Sequence, residues 1–227
     1  MERGIWRMLV IGPTRHVLPG LARGEGEDAP QRFTREAVER LLAQARARWN
    51  VVAQDLPIEP SISGRISVVA AGMLLALAQA LTGDGIERSY ANRLVRDISW
   101  AAYMRSMGKG MPGLMRTLAR NPQRRLKAAM NIGLKLEFTE PSYRHRRVSF
   151  AGGDGFDMLR CPIADYLKSQ DASDLCVTAF CSLDFRIFEL IDLQLERSGT
   201  IAGGAEVCDF RGYPPGGLPT RNAQGHT

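Results

Sequence analysis

The stretch Arg146–Cys161, RRVSFAGGDGFDMLRC, decides the fold class. It reads as two short strands around Gly152–Gly155, because a glycine-rich tetrad with one aspartate supplies the backbone freedom of a tight turn. Everything between Thr34 and about Leu134 has helical periodicity instead. A second strand pair follows in LQLERSGTIAGGAEVCDFRGY, with its strands joined near Gly203–Gly204. The expected fold is therefore α+β: a helical N-terminal part, then a small antiparallel sheet of two hairpins with packed helices.

Working outward, Thr34 can cap a helix whose apolar face is Val38, Leu41, Leu42, Ala45 and Trp49, with Phe33 stapled onto Val38. Pro57 and Pro60 break regular structure before the most apolar run, Ile66–Leu81. At about sixteen residues that run is shorter than the roughly 20 a membrane span needs, so a buried core helix is expected from Ser63 to Leu81. Further helices are expected over Ile86–Met107, Met111–Ala119, Pro122 to about Leu134, the CPIADYLKSQ segment and Ser173 to about Leu190. Residues 1–31 read as a flexible arm, because GLARGEGEDAPQ is rich in Gly, Pro and charge. Residues 32–213 read as a single domain and 214–227 as a mobile tail.

The 227 residues carry a net charge of +6, unevenly spread. Arg105–Arg147 holds eleven Lys or Arg residues and only two acids, Glu137 and Glu140. Such a run can attract polyanions, but no aromatic side chain interleaves Arg116–Lys135, and a solvated helical face is the reading carried forward. The expected partner is a small-molecule substrate, with no nucleic acid and no membrane; a homo-oligomer stays open. The cysteines at 161, 176, 181 and 208 form no CxxC pair, so neither a zinc ribbon nor a redox motif is indicated. Arg7 interrupts the apolar start of the chain and no cleavage site follows, so reduced thiols in a cytoplasm are expected.

In FCSLDF, Cys181 and Asp184 are three residues apart and share a helix face. Cys176, five residues before Cys181, is expected to point away into plain core. In VCDFRGY, strand alternation sends Cys208 and Phe210 to one face and Asp209 and Arg211 to the other. A helix packed on that sheet would bring Cys208 near the Cys181–Asp184 pair. Each residue also has a plainer reading: buried thiols are usually core, and Asp209 with Arg211 could be a surface ion pair of little worth. The histidines add no motif.

These same residues resemble the L-2-amino-thiazoline-4-carboxylate hydrolase family. The resemblance rests on RCPIADYLKSQ, FCSLD and LERSGTIAGGAEVCDFRGY, and matches Cys161, Cys181, Asp184, Glu196, Arg197 and Thr200. It continues through Ile201, Gly204, Cys208, Asp209, Phe210 and Arg211, while Ser198 departs from the family's threonine. What it implies is hydrolytic opening of a small heterocycle, such as a cyclic amidine or isothiourea; no cofactor and no metal are expected. The resemblance supplies only the positions; from the chemistry that ring opening needs, Cys181, Asp184, Cys208 and Asp209 are expected to be catalytic, with Cys181 or Cys208 as nucleophile. Arg211, Glu196, Thr200 and Cys161 are expected to bind substrate, Arg211 holding its carboxylate. The competing reading is a non-catalytic small-molecule binder on the same scaffold. A zinc site of Cys161, Cys181, Cys208 and Asp184 matches no standard spacing.

Overall fold

The structure, a computed structural model, describes residues 2–21, 33–108 and 110–218. Its helices are α1 (Glu2–Trp6), α2 (Gly12–Leu21), α3 (Arg35–Val52), α4 (Ile62–Gly83), α5 (Arg88–Tyr103), α6 (Met111–Leu118) and α7 (Pro122–Ile132). Strands β1 (Arg144–Phe150) and β2 (Gly153–Arg160) follow, then α8 (Pro162–Ser169), α9 (Ser173–Cys176), α10 (Leu183–Leu190), β3 (Gln194–Glu196) and β4 (Cys208–Tyr213). The fold is α+β, with helices first and a four-stranded antiparallel sheet of order β1-β2-β4-β3 in the second half.

The sheet is built from the two strand pairs. Gly153–Arg160 lies against Arg144–Phe150, and its other edge pairs with β4 in the register Phe156↔Phe210 and Met158↔Cys208. The connection between β3 and β4 is longer than a tight hairpin and contains a 3-10 turn at Ile201–Gly203. Helices α7 and α10 cover one sheet face closely. A side chain at Gly212 would come within 2.5 Å of Met130 and 2.6 Å of Leu126, so only hydrogen fits there.

Local signals set the helices as expected at their starts. The Thr34 hydroxyl accepts the Ala37 N–H at 3.2 Å, and Ser61 accepts that of Gly64 at 3.0 Å. Asn121 caps α7 through the N–H groups of Gln123 and Arg124. The apolar helix is longer than its most apolar run, at 22 residues, and is long and apolar enough to cross a membrane. Most of it is buried, packed among α3, α5 and α8.

Two expectations are corrected. The arm over residues 1–31 is helical in its first part: α1 and α2 are joined by a π turn at Arg7–Ile11. Trp6, Val10 and Leu18 are buried there, with the Trp6 ring 6.1 Å from that of Trp49. Pro13, Pro19 and the polar composition beyond Leu21 masked this, and burial overrides such local signals. Residues 22–31 of the arm lie outside the described residues, as do 219–227 of the tail. The second correction concerns Cys176. Between α9 and α10 the chain makes a π turn, Val177–Cys181, in which Ser182 N–H reaches back to Val177 O at 3.2 Å. The wider turn brings residues five apart together, so Cys176 points toward Cys181, its thiol donating to the Cys181 sulfur; it is buried in the helical core, as expected.

The buried apolar side chains form two clusters. One lies among α1–α5, α8 and α9; the other lies between the sheet, α7 and the α10 side. Cys161 and Ile201 pack against both. An ion pair ties the halves: Arg160 at the end of β2 donates to both oxygens of buried Glu59, at 2.8 and 3.0 Å, in the loop before α4.

Candidate functional site

A cavity of about 710 Å³ opens where the N-terminal end of α4 and the end of α5 face the sheet across α7. Its floor is apolar and buried, formed by Phe156, Phe210, Met115, Met130 and Ile191. Two carboxylates stand on its wall. Asp184 comes from the first turn of α10, and Glu137 from the π turn Gly133–Glu137 that follows α7. Ser63, Ser67, Thr139, Tyr103 and Lys135 also reach it.

The carboxylates hold protons more tightly than ordinary ones. Burial pushes the Glu137 carboxyl up to about 7, and the neighbouring Asp184 adds to the shift. Glu137 is solvent-exposed at the cavity wall, so water screens it and the upward direction of the shift matters more than its size. Burial also raises Asp184, although Arg197 opposes the shift. The Tyr103 phenol is pushed up to about 12 by burial and by Glu137, so it is a proton donor here. Buried Tyr143 donates to the Ser67 hydroxyl at 2.8 Å, which orients that hydroxyl at the cavity wall.

Arg197 is the residue that joins the parts. Its guanidinium donates to Asp184 Oδ2 at 2.6 Å and to the carbonyl of Cys181 at 2.5 Å. Its side chain is 4% exposed, and it stacks between the rings of Phe185 and Phe210, 5.0 Å from each centroid. The planar fork suits this set of contacts where a lysine would not.

Behind Arg197 lie the thiols. Cys161, Cys181 and Cys208 are close enough that each thiolate would repel the others. Burial pushes Cys161 up to about 12 and Cys208 up to about 11, so both stay protonated at neutral pH. The Cys208 sulfur accepts the Ile201 N–H at 3.2 Å. Cys181 is shifted the other way, by the hydrogen bond from Cys176 first, with help from Arg197 and the Thr200 hydroxyl. Thr200 also accepts the Gly203 N–H at 2.9 Å, which closes the 3-10 turn. None of the four thiols lines the cavity. The zinc arrangement is not formed: among the described residues no group of three or more His, Cys, Asp or Glu is placed to hold a metal ion.

The remaining expected site residues lie elsewhere. Asp209 accepts the N–H groups of Ser198 and Gly199 and the Ser198 hydroxyl, at 2.6–3.1 Å, and so shapes the loop after β3. Burial would raise its carboxyl, but these bonds hold it below the usual range. Arg211 donates to Asp157 at 2.6 Å on the sheet face opposite Phe210, and Arg146 pairs with the same carboxylate at 2.8 Å. Glu196, opposite Arg211 in the register, accepts from the Tyr213 hydroxyl at 3.2 Å. Strand alternation separates this polar ladder from the cavity, so Asp209, Arg211 and Glu196 do not meet Asp184. Sequence reasoning gave no role to Glu137 or Arg197. The available signals were one of only two acids in the most basic stretch, and an arginine within the matched LERSGT segment.

The L-2-amino-thiazoline-4-carboxylic acid hydrolase family model matches residues 67–211, from within α4 into β4. No curated protein and no solved structure matches the chain. The match spans both carboxylates, Arg197 and all four cysteines, and covers well over half of the sequence. The chain belongs to the L-2-amino-thiazoline-4-carboxylic acid hydrolase family.

Proposed function

We propose that the protein is a hydrolase that opens a small heterocycle, a cyclic amidine, isothiourea or related ring, inside the cavity beneath α5 and α7. One observation carries this reading: Asp184 and Glu137 share the wall of a single apolar cavity, and both have raised proton affinity. Two carboxylates in unlike surroundings are a recurrent arrangement for moving protons near neutral pH. Asp184, fixed by Arg197, takes the amidinium N–H groups. Glu137 accepts a proton from the water that adds to the amidine carbon. Collapse of the tetrahedral adduct breaks the ring C–S or C–N bond, and the departing heteroatom takes up the proton. The product is the substrate plus one water. Lys135, at the same wall, is the cation for a substrate carboxylate.

This reading moves the attack from a thiol to water. Cys161 and Cys208 keep their protons, and Cys181, although shifted the other way, does not line the cavity and holds Arg197 through its carbonyl. The test is to incubate the protein with 2-amino-thiazoline-4-carboxylate and other cyclic amidines and to follow the gain of one water by mass. Asp184→Asn and Glu137→Gln should each lower turnover at least about a hundredfold, the usual worth of a proton-transfer group, with unchanged circular dichroism. Absence of product from every ring in the series would overturn the reading.

A further inference from the structure

We infer that the natural ligand is an amphiphile, whose cationic amidine-type head meets the Asp184–Glu137 pair while a long apolar substituent fills the rest of the cavity and leaves through its mouth. The inference rests on the hydrolase reading for its head group and goes beyond it in naming the substituent. Size is the first argument. A cavity of roughly 150 Å³ is enough for benzene, whereas this one measures about 710 Å³, within the range that holds drug-sized ligands. A bare five-membered ring with a carboxylate would leave most of it to water.

The lining is the second argument. Water left there would lie against Phe156, Phe188, Phe210, Met130 and Ile187, which offer no hydrogen bonds in return. The mouth is the third. Ile62, Ile66, Met107, Ile132 and Leu136 line the cavity and are also exposed, from 41% to 76%. They make an apolar collar contributed by α4, α7 and the π turns after α5 and α7. Scattered exposed apolar residues are ordinary on a protein surface, but a set of them around one opening marks a ligand path.

Charge fixes which end of the ligand goes inward. Asp184 adjoins the buried Phe210 side of the cavity through Arg197, and Glu137 has no salt-bridge cation among the described residues. An anionic head would face the Glu137 carboxylate and an Asp184 already held by Arg197, with only the exposed Lys135 to attract it. A cationic head removes the repulsion between the two carboxylates, and the apolar tail then points along the collar toward solvent.

The test compares acetamidine, decanamidine and decanoate by titration calorimetry with the full chain, below the concentration at which the long-chain compounds form micelles. Each methylene buried should tighten binding about threefold to fourfold, so decanamidine is expected to bind at least a hundredfold tighter than acetamidine, and tighter than decanoate. Ile66→Asp, at an exposed position of the collar, should lower the decanamidine-to-acetamidine affinity ratio at least tenfold. Equal affinities for the two amidines, a preference for decanoate, or an unchanged ratio in Ile66→Asp would each overturn the inference. The two readings fail separately. Tight decanamidine binding with no ring opened in the mass assay leaves the amphiphile site standing and removes the hydrolase. Ring opening without any chain-length preference in binding does the reverse.

Discussion

Arg197 shows why a single residue can matter more than the motif around it. It neutralises Asp184, holds the Cys181 carbonyl and fills the gap between two phenyl rings. Arg197→Ala should therefore cost about 3–5 kcal/mol in urea unfolding, the usual penalty for stranding a buried charge, and Arg197→Lys should recover only part of it. Glu137 makes a different prediction, about pH. Its folded-state carboxyl titrates near 7 against an ordinary value of 4.5, so between these values the folded chain binds more protons than the unfolded one. Its contribution to stability is complete below about 4.5 and is lost as pH rises through about 7. Solvent reaches the group, so the size of the effect is reduced by screening. Unfolding free energies measured from pH 4 to 8 should fall more for the natural chain than for Glu137→Gln. If Glu137 is also the base, kcat/KM should rise through the same interval.

At the scale of elements, the strand pairs and helix starts were legible because turns and caps are local. GGDG, Thr34 and Pro122 act through their own neighbours. The π turns were not legible, since the extra residue per turn leaves no compositional mark, and one of them reversed the expected direction of Cys176. The site was half legible. Asp184 sits in a readable C-x-x-D spacing, whereas Glu137 belongs to another helix and meets it only through the tertiary fold. Strand alternation correctly split Cys208 from Arg211, but it also meant that the whole CDFR stretch could not face one ligand. Helix–sheet packing yields its own expectation. Gly212→Ala drives a methyl against Met130, Leu126 and Phe188 and should destabilise by about 1–3 kcal/mol, the usual cost of overpacking. A thermal midpoint equal to that of the natural chain would show that α7 and α10 can move apart freely.

At the scale of the molecule, two cores meet without merging. The helical cluster and the sheet cluster are joined by Cys161, Ile201 and the Arg160–Glu59 pair, and the cavity borders the sheet cluster, through Met115, Met130, Phe156, Ile191 and Phe210. Glu59→Ala would leave Arg160 with Asp165 and the Ser142 carbonyl. The cost should be about 2–3 kcal/mol, below that of a fully buried pair. Limited proteolysis should cut the loop around Pro57–Pro60 faster in this variant. The basic stretch also takes its place at this scale. Arg146 and Arg147 are paired with Asp157 and Asp154, and Arg125 with Asp192, so part of its charge is spent inside the fold.

The bonds that Asp209 accepts from Ser198 and Gly199 have a consequence for tracing ancestry. A signature built on Cys208–Arg211 selects chains that bend in the same place after the third strand, and says little about a ligand, since Asp209 and Arg211 lie outside the cavity. The rim isoleucines stand apart from it in the sequence, and can change while every letter of that signature stays the same.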